Sequence, residues 1–97
     1  MRVKQYGRHF FVKTCKSSPE QYDVYNQEGN QVGYVRLRYG DLSVACPDIG
    51  GEHVYETTIG DGQWTGEFES KEQRKRVLKE VSKAIKKWEK RQKEAEV

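Results

Sequence analysis

Tyr34, Arg36 and Arg38 stand at alternate positions of the segment QVGYVRLRY, residues 31–39. Guanidinium forks match phosphate oxygens, and phenol rings offer stacking surfaces for bases. The trio is therefore a candidate site for a nucleotide or nucleic-acid ligand. Downstream, Asp48, Gly50 and Gly51 lie in a glycine-rich loop whose backbone could close over a small ligand, because glycine permits close approach. His53 and Tyr55, on the segment that follows, would join the same face if their strand pairs nearby. The plainer meaning of this pattern is a solvated sheet face, on which arginine and tyrosine pair across strands for modest stabilisation.

A second set of candidates lies near the C-terminus. Lys75, Lys79, Lys83, Lys86 and Lys90 fall on one face of an expected helix. Like charges four residues apart cost a little helix stability each. A chain that carries them can use the field to meet nucleic acid or an acidic protein. Lysine is also a good helix former on exposed faces, and Glu72, Glu80, Glu89 and Glu94 interrupt the patch.

Catalytic and metal-binding patterns are not legible. His9 and His53 each sit within an expected strand, without neighbours at the spacing that a metal site of three or four ligands needs. No G-x-S-x-G, P-loop or G-x-G-x-x-G occurs. Asp48 and Glu52 flank Gly50 and Gly51, an arrangement more typical of turns than of a general acid and base. Cys15 and Cys46 have no C-x-x-C spacing and read as small buried hydrophobes. The expectation is a non-enzymatic protein with no metal and no cofactor.

These side chains need elements to hold them. Residues 8–14 (RHFFVKT), 21–26 (QYDVYN), 31–39, 42–46 (LSVAC) and 53–59 (HVYETTI) read as strands, and residues 17–20 break the first from the second. Gln27, Glu28, Gly29 and Asn30 supply a hairpin turn, since Gly and Asn accept positive φ. Alternation in the third strand puts Val35, Leu37 and Tyr39 on one face and Tyr34, Arg36 and Arg38 on the other. Gly40 and Asp41 turn the chain, Pro47 stops the fourth strand, and residues 60–62 lead to a short extended piece over 64–68. Ser70 with Gln73 three residues later forms a capping box. Beyond it Val77, Leu78, Val81, Ala84, Ile85 and Trp88 recur at helical spacing. The expected fold is α+β: an antiparallel meander of about five strands over residues 1–69, packed by one long amphipathic helix over 70–92. Residues 93–97 should fray.

Composition bounds the rest. The 97-residue chain is one domain by length, and at 34% charged and 34% hydrophobic its core must be thin. Eleven aromatic residues supply much of the apolar area. No stretch is apolar enough to span a bilayer, and the first residues lack the apolar run of a secretory signal. Unpaired cysteines suit a reducing cytoplasm. Charge is segregated: residues 71–97 carry eleven Lys/Arg against five Glu, and residues 1–70 carry seven against ten Asp/Glu. Such asymmetry speaks to partners rather than to fold.

The run Gly33 to Gly40 (GYVRLRYG), then PDIGGE over 47–52, then WTGEF over 64–68 ahead of a capped helix, resembles small uncharacterised proteins of Gram-positive bacteria and their phages. The resemblance covers residues 21–88 and transfers no functional residue. It implies a short accessory protein of the counter-defence kind, one that binds and blocks something. The expectation is capture of a phosphorylated small molecule, such as a nucleotide signal, or blockade of a bacterial protein. The alternative is nucleic-acid binding through the basic helix. Exposed strand edges add the expectation of a homodimer.

Overall fold

Strand-forming runs separated by turn residues fill the described part of the first 59 residues, and each strand lies antiparallel beside the one before it. The computed structural model describes residues 3–15, 20–59 and 68–95. They form β1 (Val3–Tyr6), β2 (His9–Lys13), β3 (Gln21–Tyr25), β4 (Gln31–Arg38), β5 (Asp41–Cys46), β6 (Glu52–Thr58) and α1 (Lys71–Ala95). All neighbouring strands are antiparallel, in the order of the sequence. The fold is α+β, a meander closed by one C-terminal helix. Residues 17–19 of the expected strand break, the 60–62 turn and residues 64–67 lie outside the described residues.

The described residues form a sheet of six strands rather than about five. The extra one is β1, three of whose four residues are exposed, so no apolar alternation betrays it. Gly7 creates it: with φ +62° it opens a two-residue turn that pairs Tyr6 with His9. Tyr39 also departs from the alternation. It forms the β4–β5 turn with Gly40, both at positive φ, and is 57% exposed rather than sharing the face of Val35 and Leu37.

One face of the sheet is apolar. Phe11, Val24, Val35, Leu37, Leu42 and Val44 are buried there against Val77, Leu78, Val81 and Ile85 of α1. Each such side chain contributes about 1.5–3 kcal/mol by leaving water. Tyr6, Phe11 and Tyr22 extend the core with edge-to-face ring contacts at 5.4 and 6.1 Å. At Gly33 a Cβ would stand 2.8 Å from Ile85 Cδ1, so the bare backbone lets the helix settle close to β4.

The helix begins where Ser70 Oγ accepts the Gln73 N–H at 3.0 Å. The Gln73 side chain reaches back to the Glu69 N–H rather than to that of Ser70. Glu72 in the first turn and Lys93 in the last suit the helix dipole. α1 touches both edge strands, β1 and β6, so the sheet curls around it. It lies along the strands, with Arg74 paired to Glu20 at one end and Arg91 to Glu52 at the other. Twenty-five residues make it about 37 Å long, and its last six residues are all exposed beyond the core. The helix thus continues through Ala95, past the expected end at 92.

Candidate functional site

On the face of the sheet away from α1, register places Tyr34 between Asp23 and Ala45, with His53 beyond Ala45. Arg36 lies between Gln21 and Ser43, with Glu56 beyond, and Arg38 faces Asp41. Tyr34, Arg36, Arg38 and His53 therefore do share one face. Their surroundings are acidic. His53 Nδ1 is 3.3 Å from Glu56, and Asp23 stands directly beside Tyr34. Burial, then the nearby Asp48 carboxylate, pushes the Asp23 carboxyl up. Asp23, Asp41 and Glu56 outnumber the two arginines, which leaves this face unfavourable for a phosphate. The Nε of Arg36 is buried without a hydrogen-bond partner.

Tyr55 is not on that face. A bulge between Val44 and Ala45 pairs Val44 with Tyr55 and Ala45 with His53. Val54 and Tyr55 consequently both pack against the core on the helix side. The loop of Asp48, Gly50 and Gly51 is a tight turn: Asp48 accepts the Ile49 N–H on Oδ1 and the Gly51 N–H on its carbonyl. Gly50 has φ +81°, and a Cβ on Gly51 would collide with the Cys46 carbonyl. Asp48 Oδ1 also accepts from Gln31 Nε2 at 3.0 Å. The loop's groups are thereby engaged in holding its own shape.

A centre formed by His9, Ser82 and Glu89 lies outside the expected sites. His9 is 1% exposed; its Nδ1 lies 2.6 Å from Ser82 Oγ and its Nε2 2.6 Å from Glu89 Oε1. Serine, imidazole and carboxylate are the groups of a nucleophilic triad, but here Nδ1 faces the serine and Nε2 the carboxylate, the reverse of the triad in which Nε2 serves the serine. Here the nucleophile is sealed. Ser82 is 3% exposed, and a Cβ on Gly7 would lie 2.6 Å from its hydroxyl, so the β1–β2 turn packs directly over the oxygen. The set acts as a clasp between β2 and α1. Its signal in the sequence is Ser82 itself, a polar residue inside the apolar stripe between Val81 and Ile85.

A second buried polar centre is Glu20, 1% exposed. It accepts from Tyr22 Oη at 2.7 Å, Phe68 N at 2.7 Å, and Arg74 Nε and Nη2 at 3.0 and 3.2 Å. Burial alone would raise its carboxyl; Arg74, the Phe68 N–H and the Tyr22 hydroxyl outweigh it and hold the group below its usual value. This centre fastens the start of the helix to β3. It is fully partnered and leaves little for a ligand.

Glu89 is 26% exposed and marks the floor of an open cleft of about 550 Å3. On one side stand Lys86, Lys90 and Lys93 of α1; on the other stand Arg8 and the β3–β4 turn with Asn26, Gln27, Glu28 and Asn30. Asn26 Oδ1 shapes that turn by accepting the Glu28 and Asn30 N–H groups. Four cations face two carboxylates, one of which already serves His9. Of the five candidate lysines, Lys86 and Lys90 belong to this cleft. With Lys83 they also border a groove beside β6 that contains Tyr55. Lys75 and Lys79 are exposed and line neither.

No family model, curated protein or solved structure matches the chain. Among the described residues no group of His, Cys, Asp and Glu could hold a metal ion, and no helix is long and apolar enough to cross a membrane.

Proposed function

We propose that the protein is a non-catalytic binding protein that captures a phosphorylated small molecule in the cleft between α1 and the β3–β4 turn. The observation that carries this reading is the gathering of Arg8, Lys86, Lys90 and Lys93 around one polar hollow. Its size, about 550 Å3, falls in the ordinary range for small-molecule sites. Most such sites are apolar, whereas this one presents cations and carboxamides. A ligand held there is recognised by charge and hydrogen bonding, as phosphate oxygens are. Among the described residues no Phe, Tyr or Trp lines the cleft, and the His9 ring there is 1% exposed, so a base gains little stacking, and affinity should rise with phosphate count.

Isothermal titration with inorganic phosphate, pyrophosphate, ADP-ribose and a cyclic dinucleotide tests the reading. Pyrophosphate and ADP-ribose should bind more tightly than phosphate. Arg8→Glu with Lys93→Glu should abolish the heat. No heat from any of the four at millimolar concentration would overturn the proposal. Binding of an oligonucleotide instead, lost on Lys75→Glu with Lys79→Glu and falling steeply with salt, would transfer the function to the exposed lysine face.

A further inference from the structure

Among the described residues β6 is an edge strand of seven residues, whereas the opposite edge, β1, has four. Long edges invite pairing with another chain unless lysine, proline or a bulge blunts them. β6 contains neither lysine nor proline, and its acidic residues are Glu52, which pairs with Arg91, and Glu56. Its bulge lies at the Val54 end, which leaves Tyr55 to Thr58 in regular register with β5. Beside this edge runs an open groove of about 850 Å3 between strand and helix. Val54, Tyr55 and Ala84 give it a partly apolar floor; Lys83, Lys86, Lys87, Lys90 and Arg91 outnumber Glu80 and Glu94 along its helix wall, where Lys83 pairs with Glu80 and Arg91 with Glu52.

The geometry points to docking of an extended, acidic segment of another protein as a seventh strand on β6; we infer that this surface is a protein-binding site. Because the sheet curls around α1 and the helix lies along the strands, an added strand would continue the curl over the cationic wall. Side chains on one face of a strand recur every two residues, about 6.7 Å apart. Lys83, Lys87 and Arg91 recur every four helical residues, about 6 Å apart. Carboxylates at alternate positions of the incoming segment therefore face the helix side and meet successive cations, while the side chains between them lie on the opposite face of the sheet. Charge also selects against a second copy of this chain. Two-fold pairing through β6 would bring one cationic wall against the other, and like charges across an interface are costly.

The probe is a synthetic eight-residue peptide of alternating Glu and Val, with a Lys-and-Val peptide as control. It is titrated into the full chain and read by amide hydrogen exchange and affinity. The acidic peptide should protect the Tyr55–Thr58 amides, and Lys83→Glu with Lys87→Glu should weaken it ~tenfold or more. Arg8→Glu with Lys93→Glu, which touches only the phosphate cleft, should leave peptide affinity unchanged, so this proposal and the previous one fail separately. All four residues are exposed, and circular dichroism checks that each variant folds. Equal binding of the basic peptide, absence of binding, or binding that leaves the β6 amides unprotected would overturn the inference. Protection of β6 without peptide, together with a dimer in sedimentation, would assign the edge to self-association instead.

Discussion

His9 Nδ1 and Ser82 Oγ, 73 residues apart in sequence, meet at 2.6 Å beneath the β1–β2 turn and tie the second strand to the inward face of the helix. The contact is buried, so neither atom has water as a substitute partner. Ser82→Ala keeps the helix but strands an imidazole nitrogen. The expected loss is about 1–3 kcal/mol, the usual cost of an unsatisfied buried polar group. Urea unfolding at neutral pH measures it; a loss below the scatter of surface variants would mean that the clasp contributes nothing.

Gly7 meets two demands at once. Its φ of +62° is uncommon for other residues, and its Cα faces the Ser82 hydroxyl so closely that a methyl would stand 2.6 Å away. Gly29 shares the positive φ, at +87°, but has open space around it. Gly29→Ala should therefore cost only backbone strain, about 1 kcal/mol, and Gly7→Ala distinctly more. Adding Ser82→Ala to Gly7→Ala should relieve part of the difference. A double-mutant cycle by thermal unfolding measures that coupling, and strict additivity would contradict the close approach.

Glu20 predicts the acid limit of the fold. Its carboxyl is held below the ordinary 4.5 despite burial, by Arg74, the Phe68 N–H and the Tyr22 hydroxyl. A lowered folded value means that the unfolded chain takes up the proton first. The stabilisation is thus complete above about pH 4.5 and disappears as pH falls through the lowered value. Glu20→Gln should lose about 2–4 kcal/mol at pH 7, in the lower part of the buried-pair range because Arg74 is 24% exposed. The variant's stability should also fall less steeply than the parent's below pH 4.5. Parallel pH–stability curves would show that another carboxylate governs acid unfolding.

The helix was legible because its signals agree: a serine cap, an apolar stripe and a lysine face select one element. The meander was legible from turns at Gly29 and Gly40 and from alternation in β4. What escaped is local and physical. β1 has one buried residue in four, so only the Gly7 turn marks it. Tyr55 shares the parity of His53 in sequence, yet the bulge turns it to the opposite side of the sheet. An inserted residue reverses every assignment beyond it, and nothing in HVYETT announces one. The cleft escaped because Arg8, Asn30 and Lys90 meet only when the curled sheet brings both turns to the helix. His9 and Ser82 are visible singly, but their pairing is a fact of the tertiary packing alone.

The two cysteines should separate in reactivity. Cys46 is 1% exposed in the core, and burial first, then Glu89 and Glu52, pushes its thiol up to about 12. The thiolate is the reactive form, and at pH 8 almost none exists at Cys46 in the folded chain. Cys15 is half-buried, outside that core. Iodoacetamide at pH 8 should therefore modify Cys15 in the native protein and reach Cys46 only through unfolding. Mass spectrometry of peptides after timed labelling reads both sites. Labelling of Cys46 should accelerate in Ser82→Ala and Gly7→Ala in proportion to their loss of stability, provided that reclosing outpaces alkylation. If Cys46 is modified as fast as Cys15 in the parent chain, the core around β5 opens without global unfolding. The packing of α1 against Val44 and Leu42 would then be weaker than their complete burial implies.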